Sequence, residues 1–103
     1  MQRTLIVETS EKIGEEVSVS GWIETVRLHG KIAFFDMYDR SAVLQVVATS
    51  PEVVKEVQNL SQRSAVNVTG KVKRRDERFI NLKIPTGTVE LEATKIEILS
   101  KII

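Results

Sequence analysis

Several side chains that can contact a nucleic acid lie within a short part of the sequence. Phe34 alternates with the apolar residues of its predicted strand, so its ring is expected to point away from the core. Arg27 and Lys31 flank this ring, and Gln45 falls on the same predicted face of the next strand. An exposed ring can stack on a base, cations can hold phosphates, and an amide can pair with a base edge. These residue types favour nucleic-acid binding, although Phe34 could also pack at the rim of the core and Gln45 could be an ordinary surface residue.

The second half of the sequence adds a basic segment and one acidic candidate. Residues 71–83 contain six basic and two acidic residues, whereas residues 1–26 contain two basic and five acidic residues. Because the formal net charge is only +1, this uneven distribution indicates either a local surface for an anion or a solvated loop. Glu90 on the last predicted strand could accept hydrogen bonds from a guanine edge or be an ordinary exposed glutamate.

Catalytic and metal-binding chemistry has weaker support. Asp36 and Asp39 form a carboxylate pair beside Arg40, and such pairs can bind a metal or act as acid and base. The spacing places no third ligand, and an aspartate in a turn usually accepts turn hydrogen bonds. The chain has no cysteine, no glycine-rich phosphate loop and no serine-centred elbow. We therefore expect no catalytic residue, no metal ion and no cofactor in this chain.

The elements that position these residues follow from periodicity and turn signals. Alternating apolar and polar residues predict strands over residues 17–23, 32–38, 43–48, 65–72 and 89–99. Ser50 is the predicted cap of a helix that begins at Pro51 and reaches about Leu60. Ser10 could cap a short helical turn that ends at Gly14.

Two irregularities suggest that the strands curve into a closed barrel. Gly21 predicts a bulge or bend, and broken alternation between Ala93 and Ile96 predicts a bulge. Residues 75–84 form a charged excursion with some β character. Three strands, one helix and two strands match an all-β, five-stranded Greek-key barrel, the OB-fold, with its helix between strands 3 and 4.

Size and composition bound the organisation of the chain. Its 103 residues predict one domain spanning residues 1–103. The sequence has no apolar run of about 18 residues or more and no export signal, so we expect a cytoplasmic location and no membrane partner.

The ordered motifs resemble the anticodon-binding domain of class IIb aminoacyl-tRNA synthetases, which charge Asp, Asn or Lys tRNAs. Residues 19–23, 27–41 and 44–47 resemble the family pattern V-x-G-W-V … R-x-x-G-x-x-x-F-x-D-x-R-D-R-x-G … Q-V. Residues 68–81 and 86–91 resemble the block V-T-G-x-V-x-x-R-D-E-x-x-I-N … T-G-x-x-E of bacterial-type aspartyl enzymes. The resemblance covers nearly the whole chain. It implies an N-terminal anticodon-binding domain without the catalytic domain that holds ATP and Mg²⁺.

The resemblance also implies roles for individual residues in the recognition of the anticodon. The residue at the position of Phe34 stacks on an anticodon base, and those at Arg27 and Gln45 hydrogen-bond the central uracil. The residue at Glu90 reads the guanine in the first position. Unstacked loop bases are what proteins usually read in RNA, which agrees with these roles.

Four further positions are implicated at the margins of the same surface. Basic residues at the positions of Lys73 and Arg75 contact the backbone of the anticodon loop, and Asn81 lies in the same protein loop. His29 lies near the third anticodon base, and a histidine there resembles variants that accept both tRNA(Asp) and tRNA(Asn). A solvent-exposed His29 with no RNA contact is the alternative.

The sequence departs from the family pattern in ways that predict weak binding. Arg27 stands alone where several arginines are usual, Tyr38 replaces an arginine, and Ala42 replaces a turn glycine. Phe79 occupies a position that is commonly polar in the family.

Three interpretations stay open from the sequence. The first is the anticodon-binding domain of an aspartyl-type enzyme, or of an asparaginyl or lysyl relative. In that case the partners are the tRNA anticodon loop and the catalytic domain of a parent homodimer, and the isolated domain is a monomer. The second is a generic single-strand-binding OB module. The third is a protein-interaction domain or small enzyme that uses Asp36 and Asp39.

Overall fold

Strand β1 (Glu16–His29) pairs with two different neighbours, and this closes the sheet into a barrel. Its first half lies antiparallel to β4 (Ala65–Arg74), and its second half lies antiparallel to β2 (Ile32–Tyr38). Strands β3 (Val43–Ala48) and β5 (Val89–Ser100) complete the order β1-β2-β3-β5-β4, with β3 and β5 parallel. The computed structural model describes residues 4–100, apart from the side chain of Ser100. The predicted five-stranded OB-fold is confirmed.

The structure also has one α-helix and two short 3₁₀ helices in residues 4–100. Helix α1 (Pro51–Gln58) lies between β3 and β4, and the Ser50 hydroxyl accepts a hydrogen bond from the Val53 amide as predicted for its cap. The 3₁₀ helix Ile6–Glu11 precedes β1, and the 3₁₀ helix Glu77–Phe79 lies in the loop between β4 and β5. No helix within residues 4–100 is long and apolar enough to cross a membrane.

The core forms because β2 and the first part of β1 bury every second side chain, β3 is buried on both faces from Leu44 to Ala48, and α1 adds its apolar face. On β2, Ala33, Phe35 and Met37 are fully buried, which leaves Phe34 and Asp36 on the outer face as predicted. The other large core side chains with less than 2% exposure include Ile6, Ile23, Leu44, Leu91, Val19, Val46, Val57, Val66, Val68, Val72 and Val89. The inner face of the barrel is therefore filled with apolar side chains, and binding chemistry must use the outer face.

The bounds of β2 and β3 and the start of α1 are confirmed, but β1 is longer than predicted. A register shift between Ile23 and Thr25 adds Glu24 as a bulge, and the strand continues to His29. Gly21 is not the bulge. A Cβ at this position would lie 2.3 Å from the Tyr38 carbonyl oxygen, so glycine permits the close approach of β1 and β2.

The predicted break in β5 is confirmed as a bulge at Thr94. The β4–β5 register pairs Thr69 with Lys95 and Gly70 with Ala93, which leaves Thr94 without a partner of its own. A bulge increases the local twist of a strand, and this helps a five-stranded sheet to close.

Three smaller predictions were wrong. Ser10 lies inside the 3₁₀ helix Ile6–Glu11 and does not cap it, since its hydroxyl donates to the Val7 carbonyl at 3.4 Å. Helix α1 ends at Gln58, two residues before the predicted end. The excursion at residues 75–84 lacks the β character predicted for part of it: it is a 3₁₀ helix with turns, and the Asp76 carboxylate accepts from the Arg78 amide at the start of the helix.

Candidate nucleic-acid interface

Four side chains from four strands form one hydrogen-bonded row on the outer face of the barrel. The Arg27 guanidinium donates to the Asp36 carboxylate at 2.7 and 3.3 Å. Its Nη2 also lies 3.4 Å from the Gln45 Oε1, and the Gln45 amide donates to a Glu90 carboxylate oxygen at 3.0 Å. Antiparallel pairing places Asp36 opposite Gln45, and Glu90 enters from β5. Cation, amide and carboxylate are therefore held in a fixed order.

This row combines exposure with order, as a surface that reads base edges requires. The Arg27 side chain is 39% exposed and the Asp36 side chain 24%, whereas Gln45 is buried. Among residues 4–100, Asp36 is the contact that sequence reasoning missed, since it was considered only as a metal or acid–base candidate. The signal was available in the alternation of β2, which put Asp36 on the same face as Phe34.

Phe34 lies beside this row on the outer face of β2. It pairs in register with Arg27 on β1 and Val47 on β3, and its side chain is partly exposed. The His29 ring meets the Phe34 ring edge to face, with ring centroids 5.8 Å apart and an interplanar angle of 82°. The neighbouring Phe35 is fully buried and packs in the core, whereas Phe34 points to the outer face.

Arg75 is buried and stabilises the loop between β4 and β5 by hydrogen bonds to its backbone. The residue is only 7% exposed, and its guanidinium donates to the Val89 carbonyl at 2.8 Å and to the Phe79 carbonyl at 3.1 Å. Burial lowers the pKa of the Arg75 guanidinium, while the charges of Glu90 and Asp36 act to raise it. Arg75 is thus close to the row of polar side chains, but two of its nitrogens hold the protein backbone.

Lys73 and Asn81 lie at the margin of the surface. Lys73 pairs in register with Glu90, and its ammonium contacts the Glu92 carboxylate at 3.0 Å. Asn81 is exposed, and its side-chain Oδ1 accepts from the Lys83 backbone amide at 3.0 Å. The backbone amide of Asn81 donates to the Gly87 carbonyl. Both residues keep donors that face solvent.

The conformation of this loop depends on close backbone approach at Gly87. A Cβ there would lie 1.4 Å from the Asn81 carbonyl oxygen, so any other residue would force the loop open. The buried Thr86 hydroxyl donates to the Val43 carbonyl and fixes the end of the loop to β3.

Asp36 and Asp39, considered above as a metal or acid–base pair, have separate structural partners. Asp39 accepts from the Ile6 amide at 2.9 Å, from the Ser41 amide and hydroxyl at 2.7 and 2.6 Å, and from the Ala42 amide at 3.2 Å. Asp36 is paired with Arg27. Over the described part of the chain, no three acidic, histidine or cysteine residues are grouped to hold a metal ion.

Comparison with known proteins places this chain in a family. A family model for the tRNA anti-codon group, described as an OB-fold nucleic acid binding domain, matches residues 17–99. The chain belongs to this family. The matched range includes all eight candidate residues: six on the strands, and Arg75 and Asn81 in the loop between β4 and β5.

Similar sequences identify the branch that this OB-fold anticodon-binding domain resembles. It is 41% identical over 91 residues to an aspartate–tRNA(Asp/Asn) ligase of Streptococcus mutans, covering 87% of this chain and 16% of that protein. It is 42% identical over 91 residues to the ligase of the same name from Ruegeria sp., covering 86% of this chain and 15% of the relative. The domain therefore spans about a sixth of the length of these relatives.

Solved structures confirm the fold. An aspartyl tRNA synthetase from Entamoeba histolytica matches 99% of this OB-fold domain and 22% of its own chain, with a TM-score of 0.88 and 23% identity. An OBody bound to hen egg-white lysozyme, AM3L09, matches with a TM-score of 0.81 and 23% identity, over 99% of both chains.

Proposed function

We propose that this OB-fold domain binds the anticodon loop of tRNA(Asp), with tRNA(Asn) as a second substrate. The observation that carries the proposal is the row Arg27–Asp36–Gln45–Glu90 beside the ring of Phe34. A stacking ring next to fixed donors and acceptors suits unpaired bases, whose faces and Watson–Crick edges are both accessible. A double-stranded helix offers neither to a surface of this kind.

Each residue of the row has a chemical part in the proposal. Phe34 stacks on an anticodon base, and Arg27 and Gln45 hydrogen-bond the central uracil. Glu90 has one carboxylate oxygen engaged by Gln45 at 3.0 Å, so its second oxygen can accept from the donors of a guanine edge.

The residues at the margin act on the backbone of the loop. Lys73 offers its ammonium to a phosphate, in exchange for its contact with Glu92 at 3.0 Å. Arg75 has Nη2 left for a phosphate after it binds two backbone carbonyls, and its main effect is to position the protein loop that carries Asn81. Few cations are thus available, which favours weak binding.

The relatives support a wider role that this chain does not carry alone. In a longer aspartate–tRNA ligase, this domain would select the tRNA while a separate catalytic domain binds ATP and Mg²⁺ and joins the amino acid. We propose that the partners are the tRNA and that catalytic domain, within a cytoplasmic homodimer. The isolated domain is then a monomer without aminoacylation activity of its own.

A binding comparison tests the proposal. An anticodon stem-loop of tRNA(Asp) and poly-U are titrated into the protein at several salt concentrations, with a separate titration of a divalent metal. Selective binding of the stem-loop is expected. Three to five phosphate contacts give a slope of log K against log salt of about −2 to −4. Equal binding of poly-U would indicate a generic single-strand module, and metal binding without RNA binding would indicate chemistry at Asp36 and Asp39.

A further inference from the structure

The loop between β4 and β5 carries one exposed aromatic side chain. Phe79 ends the 3₁₀ helix Glu77–Phe79 and is 52% exposed, whereas a ring of this size is usually covered in a folded domain. The Arg78 guanidinium lies over the ring, 5.4 Å from its centroid, and makes an exposed ion pair with the Asp76 carboxylate at 3.3 Å, which a phosphate would have to replace. Proteins that bind single-stranded nucleic acids often combine an exposed ring with a cation. The ring stacks on a base, and the cation neutralises a phosphate.

Hydrogen bonds hold the main chain at Phe79. Its amide donates to the Asp76 carbonyl at 2.8 Å, and its carbonyl accepts from the Arg75 guanidinium at 3.1 Å. The Asp76 carboxylate also accepts from the Arg78 amide at 3.1 Å. The main chain under the ring is therefore ordered before any ligand binds, which reduces the entropy cost of stacking.

Arg75 fixes where Phe79 lies relative to the anticodon surface. The same guanidinium that binds the Phe79 carbonyl also binds the Val89 carbonyl at 2.8 Å, one residue before Glu90. Across the proposed surface, His29 faces the third anticodon base, Arg27 and Gln45 the second, and Glu90 the first. Arg75 thus ties the Phe79 backbone to the residue before Glu90, whose side chain is proposed to face the first base.

We propose that Phe79 and Arg78 form a second stacking site, which takes the RNA nucleotide on the 5′ side of the first anticodon base. The site rests on the proposed anticodon binding, because that binding sets the direction of the RNA. The base stacks on the ring face that Arg78 does not cover, and the guanidinium approaches the phosphate of the same nucleotide. The basic segment at residues 71–83, with six basic and two acidic residues, supplies the matching charge.

The site is tested by removing the Phe79 ring from the protein and the stacked base from the RNA, separately and together. Wild type and Phe79→Ala are compared on the tRNA(Asp) anticodon stem-loop and on the same RNA with an abasic nucleotide 5′ of the anticodon. Phe79→Ala is expected to weaken binding of the intact loop about fivefold or more, the effect of one stacked base. On the abasic loop the same substitution is expected to change affinity by less than about twofold, because the base is already absent.

Two further variants keep the result interpretable. Leu82→Ala removes another exposed apolar side chain of the same loop, 83% exposed, and is expected to leave both affinities unchanged. Phe79→Leu keeps apolar bulk without a ring and is expected to behave as Phe79→Ala. Equal binding by wild type and Phe79→Ala, or equal losses on both RNAs, overturns the stacking site while anticodon binding stands. If wild type does not prefer the stem-loop over poly-U, the proposed function and this site both fail.

Discussion

Arg27 and Asp36 form a two-point ion pair across β1 and β2, with nitrogen–oxygen distances of 2.7 and 3.3 Å. The pair leaves Arg27 Nη2 only 3.4 Å from Gln45 Oε1, so the carboxylate aims the guanidinium at the amide. A guanidinium held at two points loses little freedom when it binds a ligand, since its orientation is already fixed. Asp36 thus positions Arg27 without itself offering a donor to RNA.

Asp36→Asn is expected to weaken binding of the anticodon stem-loop by about two- to tenfold, which corresponds to the net contribution of one hydrogen bond. The loss arises because Arg27 is no longer aimed at the central base. Replacing the central uracil by cytosine should therefore cost the variant less affinity than it costs wild type. The unfolding free energy should fall by no more than about 1 kcal/mol, because both partners are partly exposed.

Glu92→Gln is the matched control for Asp36→Asn, since it removes the ion pair that Glu92 makes with Lys73 at 3.0 Å on the same surface. It should leave the preference for the central base unchanged. An Asp36→Asn protein that keeps the full wild-type preference would show that Asp36 does not position Arg27.

The adjacent phenylalanines of β2 should respond differently to truncation. Phe34→Ala is expected to weaken RNA binding by about 1–3 kcal/mol, the range for one stacked base, with little change in stability. Phe35→Ala should lower the free energy of unfolding by about 3–5 kcal/mol, because Phe35 is fully buried. Thermal unfolding and RNA titration of both variants separate the two effects. If Phe34→Ala destabilises as strongly as Phe35→Ala and its folded fraction binds normally, Phe34 is a core residue.

Asp39 is expected to make stability sensitive to acid. Burial raises the pKa of Asp39, but hydrogen bonds from the Ser41 hydroxyl and from the amides of Ile6, Ser41 and Ala42 lower it, and the net pKa lies below its ordinary value. The stabilisation is complete above the unfolded pKa of about 3.9 and is lost as the pH falls through the lower folded pKa.

Chemical denaturation between about pH 2 and pH 7 measures this effect. Asp39→Asn should unfold at a lower denaturant concentration at neutral pH, and its stability should vary less with pH below about 4. Ser41→Ala should retain part of the dependence, since the amides of Ile6 and Ala42 still donate to Asp39. Parallel pH curves for wild type and Asp39→Asn would contradict the assignment.

His29 is expected to permit reading of either pyrimidine in the third anticodon position. A neutral imidazole has one donor and one acceptor, and leucine has neither. Wild type should bind the tRNA(Asp) and tRNA(Asn) stem-loops with similar affinity, and His29→Leu should widen the difference. The proposal fails if wild type already separates the two by more than about 1.4 kcal/mol, a tenfold ratio, or if His29→Leu changes neither affinity.

The barrel was predictable because strand alternation is a local property of the sequence. Phe34 and Gln45 were placed on one face by the period of β2 and β3, and the bulge near Thr94 followed from broken alternation in β5. The extension of β1 to His29 was missed because the bulge at Glu24 interrupts the alternation there.

The contacts between side chains could not be predicted from local sequence patterns. The link from Gln45 to Glu90 joins residues 45 positions apart, and it depends on the parallel pairing of β3 with β5. Burial of Arg75 depends on how the loop between β4 and β5 folds back, which no local pattern of charges indicates.

The most direct measurement is the affinity of wild type and Glu90→Gln for two stem-loops that differ only in the first anticodon base, guanine or adenine. The second carboxylate oxygen of Glu90 should accept from the guanine edge, whereas adenine lacks the N1 and N2 donors of guanine and leaves that oxygen without a base donor. Wild type should therefore prefer guanine by about tenfold or more, and Glu90→Gln should reduce this preference to about twofold while still binding RNA. Equal binding of both RNAs by wild type, or an undiminished preference in Glu90→Gln, would contradict recognition of the anticodon by this surface.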